Sequence, residues 1–375
     1  MSTKPSLWLM VVMLMFPQIV ETIYSPALGS IAHSFAVTYT QAAQTLSVYF
    51  FSFAIGVVVW GVLADKWGRR STMMVGLFIY GCAALLAMQT ESFTTLMVAR
   101  ALSAFGIAVG SVVTQTMLRD VFSGDELGQV FSLMGTGIAI SPVIGMWLGG
   151  QLTQAGGYHY VFVALFVMAA ILLMLNLFKL PETQKEKQPL QLGCLMSRMV
   201  RDTQIWQSAL LVALYNIALF AYYQLGAFIF VEQGFSAEQF GYSGIALGFG
   251  TLLGSYANKI LLSKGMTQDY LLWIAATLLT LGAGGVYMMQ ASIWFVVPVM
   301  FVVMSFGIAI PNVLSTALAD YKHYVGSAGA LFGLMYYSLI AGGLALAGAV
   351  QHLGMALIAC SLAALLVTAI RTSQR

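Results

Sequence analysis

Pro181-Glu182-Thr183-Gln184-Lys185-Glu186-Lys187-Gln188, running on to Arg201-Asp202, is the longest polar interruption in an otherwise apolar chain. On both sides of it, runs of roughly 20 apolar residues recur, the length that crosses a bilayer. Six such runs precede it, at about 6–31, 41–63, 72–90, 95–118, 128–150 and 158–180. Six follow, at about 205–231, 238–262, 270–289, 292–316, 327–349 and 351–370. The reading is an all-α membrane protein of twelve transmembrane helices. Its expected units are an N-terminal six-helix bundle (1–180), a linker (181–203) and a C-terminal six-helix bundle (204–375).

Composition agrees. The 375 residues are 60% hydrophobic and 8% charged, against about 25% charged in soluble domains. The 37 glycines and 22 methionines suit close helix packing in lipid, where small residues let backbones approach. Cys82, Cys194 and Cys360 have no metal-ligand spacing and suggest no disulfide framework. The N-terminal apolar run is too long for a cleavable signal peptide, and many spans follow it.

The net charge of +3 is a matter of topology and implies no nucleic acid. If the N-terminus is cytoplasmic, every lysine and arginine except Arg100 falls on the cytoplasmic side, while Glu91, Glu232 and Glu238 fall outside. A missed or extra span would flip every later loop, so the pattern also supports twelve spans with both termini cytoplasmic.

Two charges remain inside spans, Glu21 and Arg100. An ionisable side chain there costs at least ~2.5–3.5 kcal/mol and normally faces a cavity. Depth arithmetic places Glu21 ~15 Å and Arg100 ~8 Å below the outer ends of the first and fourth spans, at 1.5 Å per residue. The difference of ~7 Å is within reach of two long side chains. Burial and a neighbouring cation act on a carboxyl in opposite directions, which makes the pair the candidate for proton coupling.

Several stretches carry a family resemblance. Gly61-Val62-Leu63-Ala64-Asp65-Lys66-Trp67-Gly68-Arg69-Arg70, between the second and third spans, resembles the G-x-L-a-D-r-x-G-r-r signature of the major facilitator superfamily. In the fifth span, Gly135-Thr136-Gly137-Ile138-Ala139-Ile140-Ser141-Pro142-Val143-Ile144-Gly145-Met146-Trp147-Leu148-Gly149-Gly150 resembles the G-x-x-x-G-P-x-x-G-G motif of the drug exporters in that superfamily. Ser141 and Met146 depart from it. Arg100, followed by Ser103 and Ala104, matches R-x-x-q-G only at the arginine. Tyr24-Ser25-Pro26-Ala27-Leu28, Leu118-Arg119-Asp120, Gly254-Ser255-Tyr256-Ala257-Asn258-Lys259 and Pro311-Asn312 resemble stretches of the Bcr/CflA-type multidrug exporters. Those exporters carry an Asp where this chain has Thr22, and Glu21 lies one residue earlier, about 100° around the helix. That displacement raises the expectation that Glu21 turns away from the cavity centre, unless the backbone near Pro17 and Pro26 compensates.

The resemblance implies the major facilitator fold, two pseudo-symmetric bundles that alternate access to a site near the midplane. It also implies a cytoplasmic latch at Gly61, Asp65, Gly68, Arg69 and Arg70, with Arg119 as the expected partner of Asp65. Gly137, Pro142, Gly145 and Gly149 form the antiporter motif, which goes with export. The candidate cavity residues, chosen as polar or aromatic groups inside spans, are Gln18, Tyr24, Tyr49, Phe53, Asn216, Phe220, Tyr223, Gln224, Phe306 and Asn312. Aromatic and Met-rich walls adapt to varied apolar ligands.

The expected function is drug:H+ antiport, the export of small amphipathic compounds across a bacterial inner membrane. Its partners are a small-molecule substrate, protons and the lipid bilayer, with no cofactor, and the chain is expected to act as a monomer. The same fold also serves importers and dedicated exporters of one sugar, amino acid or siderophore, so that alternative stays open. An enzyme is not expected. His33, His159, His323 and His352 are scattered near span ends, and neither a metal cluster nor a nucleophile motif stands out.

Overall fold

The structure, a computed structural model, describes residues 4–184 and 192–374, without the side chains of 125, 192–194 and 322–326. Lys185, Lys187 and Arg375 of the sequence reading lie outside the described residues, as does the side chain of Lys322.

Every long element is a helix. The second, third and fourth spans are Tyr39–Trp67, Arg69–Gln89 and Phe93–Val121. A short helix, Leu192–Val200, precedes the seventh span, Thr203–Glu232. The eighth to twelfth spans are Ala237–Ser263, Gln268–Met289, Val296–Ala317, Val325–Val350 and Leu353–Ser373. Capping sets several starts. Thr38 with Gln41 and Ser236 with Gln239 form reciprocal capping boxes, satisfying amides that a helix start leaves unpaired.

Two spans differ from simple rods. The first runs as Leu7–Ile23, then a 3-10 turn at Ser25–Ala27, then Leu28–Ser34. Pro26 sits in that turn, where a missing N–H does least harm. The fifth and sixth spans form one run, Gly124–Lys179, that leaves helical geometry at Gly156 and Gly157. Unbroken, 56 residues would extend roughly 80 Å, more than twice the hydrocarbon thickness. Gly157 takes φ 65, a conformation cheap only for glycine, and there the chain turns back. Among the described residues, eleven helices are long and apolar enough to cross a membrane, one of them this doubled run. The chain therefore crosses about twelve times, as its apolar runs suggest.

The first span packs on the fifth, and the second and third pack on the fourth. The seventh packs on the tenth, eleventh and twelfth. Between the two halves, the second span lies along the eleventh and the fifth along the eighth. Small residues make this closeness possible. Gly76 and Gly106 cross so tightly that a Cβ on Gly106 would stand 2.8 Å from the Gly76 carbonyl oxygen. Gly106→Val is expected to destabilise the fold by about 1–3 kcal/mol through overpacking, read as a lower thermal midpoint of the detergent-solubilised protein.

Candidate functional site

Glu21 and Arg100 are both buried, 4% and 1% exposed. The displacement from the family's Asp position does not turn Glu21 outward. Thr22 takes the face toward the fifth span, packed on Gly145, with its hydroxyl donating to the Gln18 carbonyl at 2.8 Å. Glu21, a helical step away, acts electrostatically on Arg100 in its own half and on Tyr223, Tyr336 and Tyr337 in the other. The carboxyl is thus within electrostatic reach of tyrosines from the second half as well as of Arg100.

The direct Glu21–Arg100 contact allowed by depth is not among the ion pairs of the described residues. Arg100 is held by rings instead. Its guanidinium carbon lies 3.9 Å from the Tyr24 ring centroid and 4.5 Å from that of Tyr49. Aromatic faces stabilise a desolvated cation by about 2 kcal/mol or more but take up none of its directed N–H bonds. Arg100 Nε and Nη2, and Glu21 Oε1, have no hydrogen-bond partner among the described residues. A buried acid and base held close without a locked pair can respond to a proton or a ligand.

Around them is an aromatic wall shared by both halves. Phe50 meets Phe220 at 4.5 Å between centroids, and Phe53 meets Tyr337 at 4.9 Å. Tyr336 and Tyr337 lie against one another. Above this wall, on the face away from the lysines and arginines, polar contacts join the halves. Gln224 Nε2 donates to the Ala43 carbonyl at 2.8 Å, and Gln44 Nε2 to the Ala345 carbonyl at 3.1 Å. Ser25 Oγ donates to the Tyr223 carbonyl. Gln151 Nε2 donates to Glu238 Oε1 at 3.0 Å and to Tyr242 Oη at 3.2 Å. Tyr39 stacks on Phe228 at 4.4 Å. The molecule is thus closed on that face. Gln224→Leu removes a buried bond worth about 1 kcal/mol, so it is expected to shift the closed-to-open ratio about fivefold toward opening. Spin-label distances between the far ends of the second and eleventh spans would report it.

The glycines of the fifth span form the surface on which the first span lies. Gly137 faces Val11 and Met15, Gly145 faces Ile19 and Thr22, and Gly149 meets the Ile23 backbone. Gly150 continues the pattern toward the eighth span, where an added Cβ would lie 2.9 Å from the Ala237 carbonyl oxygen. Ser141 and Pro142 fit this plan, Ser141 Oγ donating to the Gly137 carbonyl at 2.8 Å.

The basic-face loop departs from expectation in its partners. Asp65 pairs with Arg69, not Arg119, and Arg69 Nε also binds Asp120 Oδ2 at 3.0 Å. The Arg119 guanidinium lies over the Phe131 ring at 5.6 Å. Helical register decides this: residue 120 faces Arg69, and residue 119 is turned about 100° away. Gly68, at φ 95, makes the tight turn between spans. Glu182 was not singled out by its sequence, yet its carboxylate accepts from the Arg69 and Arg70 amides, each at 3.0 Å. It caps the third span's N-terminus, where negative charge is stabilising. Arg70 Nη2 reaches the Leu177 carbonyl at 2.7 Å.

Of the candidate cavity residues, Tyr24, Tyr49, Phe53, Phe220 and Tyr223 belong to the wall and Gln224 to the closed face. Asn312 is committed to its neighbours. Its amide donates to Asn258 Oδ1 at 2.6 Å and to the Ile308 carbonyl at 2.8 Å, tying the tenth span to the eighth. Asn216 satisfies itself on the Val212 carbonyl at 2.7 Å. Gln18 and Phe306 are half-buried. The sequence reading missed Phe50, Tyr336 and Tyr337. The Tyr336-Tyr337 pair within an apolar run was the available signal, echoing Tyr222-Tyr223 in the seventh span.

Comparison with known proteins follows the same lines. The family description Major Facilitator Superfamily matches residues 9–346. An "Uncharacterized transporter" of Rickettsia bellii is 30% identical over 351 residues, covering 89% of this chain and 87% of the relative. The "Bicyclomycin resistance protein homolog" of Haemophilus influenzae is 25% identical over 237 residues, covering 61% and 59%. Among solved structures, a D-xylose-proton symporter superposes with TM-score 0.74 over 95% of each chain at 13% identity, a likeness of fold alone. The chain belongs to the major facilitator superfamily and is a multi-pass secondary transporter of small molecules, not an enzyme.

Proposed function

We propose that this transporter is a proton-coupled exporter of small amphipathic compounds in a bacterial cytoplasmic membrane. The observation that carries the reading is Glu21, a buried carboxyl within electrostatic reach of tyrosines from the second half and of the ring-held Arg100. In the proposed cycle, Glu21 takes a proton when the site faces outward and releases it when the site faces the cytoplasm. Substrate entering from the inside favours release, because a cationic or polarisable group can take the proton's place beside the carboxylate. The two halves, 1–180 and 204–375, rock about the site. The contacts at Gln224, Gln44 and Gln151 part and re-form, and the Asp65–Arg69–Asp120 cluster acts as the cytoplasmic latch.

Export is supported by the glycine-and-proline pattern of the fifth span and by a relative named for bicyclomycin resistance. Breadth of substrate is supported by the wall itself, which is rich in rings drawn from both halves. Inverted vesicles provide the test. With an acid interior, they are expected to accumulate amphipathic compounds, and a protonophore is expected to collapse the gradient-driven part. Accumulation only in right-side-out vesicles would reverse the direction. Protection against a single compound in a sensitivity panel would replace breadth by dedicated export.

A further inference from the structure

The charges around Glu21 select for one class of ligand. Glu21 and Arg100 are 4% and 1% exposed, and a buried charge calls for an opposite charge and for hydrogen bonds. The two act on each other electrostatically, yet they are not joined among the ion pairs of the described residues. Glu21 Oε1, Arg100 Nε and Nη2, and the Tyr49 hydroxyl all lack a hydrogen-bond partner among the described residues. The rings of Tyr24 and Tyr49 hold the guanidinium without using those N–H groups. One buried acceptor and three buried donor or hydroxyl groups are therefore left for a ligand, in one neighbourhood that Tyr49 shares with both charges.

Net charge decides which ligand. The acid and base sum to zero. A ligand with only a cation answers Glu21 and leaves the site with one buried positive charge in excess. A ligand with only an anion answers Arg100 and leaves the excess negative. An uncompensated buried charge is costly. A molecule carrying both charges adds no net charge and gives each group an opposite partner. Such charge-assisted hydrogen bonds are about twice as strong as neutral ones, which sets a doubly charged ligand ahead of a merely polar one. The rings of Phe50, Phe53, Phe220 and Tyr337, drawn from both halves, are a surface for its apolar body.

We propose that the substrates of this site are zwitterions, with an ammonium group set against Glu21, a carboxylate set against Arg100 and an apolar body on the rings. The inference rests on the reading of Glu21 and Arg100 as the transport site, and it specifies the charge of the amphipathic compound. Tyr49 is placed to add a third bond to the carboxylate. A consequence concerns charge movement. One neutral zwitterion exchanged for one proton carries one net charge across the membrane, whereas a monocation exchanged for a proton carries none.

The test titrates ligands into the full-length protein in mild detergent at mildly alkaline pH and reads the rise of its thermal midpoint to half-saturation. The probes are phenylalanine and its β- and γ-amino homologues, which step the distance between the two charges. Phenethylamine, without the carboxylate, and hydrocinnamate, without the ammonium, are the single-charge controls. The best of the three amino acids is expected to bind about tenfold more tightly than either control, the worth of one charge-assisted hydrogen bond. Glu21→Gln is expected to bring that amino acid to the level of hydrocinnamate. The ranking uses the unmodified protein, so it decides the matter even if the variant fails to fold. Equal binding of the best amino acid and a control, no binding by any of the three, or an undiminished preference in Glu21→Gln would each overturn the proposal. Inverted vesicles separate this from the exporter reading. Proton-driven accumulation of phenethylamine and of none of the amino acids would overturn the zwitterion and leave proton-coupled export standing. A tenfold preference in binding, with accumulation that ignores the proton gradient, would uphold the ligand class and overturn the coupling. An interior-positive potential without a pH gradient is expected to drive accumulation of the amino acid and not of the amine; the reverse would overturn the proposal.

Discussion

Glu21→Gln is expected to abolish the response of transport to a proton gradient while leaving substrate exchange intact. Glutamine keeps the shape and part of the hydrogen bonding of the side chain, but it cannot carry a proton. A gradient of about one pH unit stores about 1.4 kcal/mol per proton, enough for a tenfold accumulation ratio in one-for-one exchange. In inverted vesicles the variant should lose that ratio. Counterflow, in which labelled substrate swaps for unlabelled, should persist because it needs no net proton movement. Glu21→Asp should retain coupling, at a lower rate, because the acid survives on a shorter arm. Gradient-driven accumulation at the unmodified level in Glu21→Gln would remove Glu21 from the mechanism and leave the membrane fold untouched.

Arg100→Ala carries the second large effect, on stability as well as transport. Arg100 lies 3.9 and 4.5 Å from the Tyr24 and Tyr49 ring centroids, and its charge acts on Glu21. Removing it leaves a buried carboxyl without its compensating cation, a change that typically costs about 3–5 kcal/mol. The thermal midpoint of the purified protein should fall sharply. Adding Glu21→Gln to Arg100→Ala should restore part of the loss, because the neutral amide needs no counter-charge. Strictly additive losses in the double variant would show that the two groups are not coupled. Arg100→Lys is not expected to substitute fully, since an ammonium on a flexible stem stacks on two rings less well than a planar guanidinium.

These expectations rest partly on what was legible in the chain and partly on what was not. Glu21 and Arg100 announced themselves because a charge in an apolar run is expensive and therefore rare. Their similar depth was also legible, from rise per residue alone. Their relation was not. Depth along an axis says nothing about azimuth, and Arg100 found two rings where a carboxylate had been expected. Arg119 failed for a related reason. Arg119 and Asp120 lie side by side in the chain, but helical register turns only one of them toward Arg69. Asn312 looked like a cavity residue because amides are costly in lipid, yet Asn258 on the neighbouring span meets that cost within the protein.

The sequence by itself determined the twelve crossings, the face that carries the basic residues, and the two ionisable groups within the membrane. Those follow from transfer free energies and span length, which each segment satisfies alone. Only the tertiary structure decided which side of each helix faces which neighbour. Side-chain partners depend on rotation about the helix axis and on packing between segments far apart in the chain. Thus Thr22 turned to the glycines of the fifth span, and Glu21 came within electrostatic reach of tyrosines from the second half. The same packing closed the face at Gln224 and Gln151.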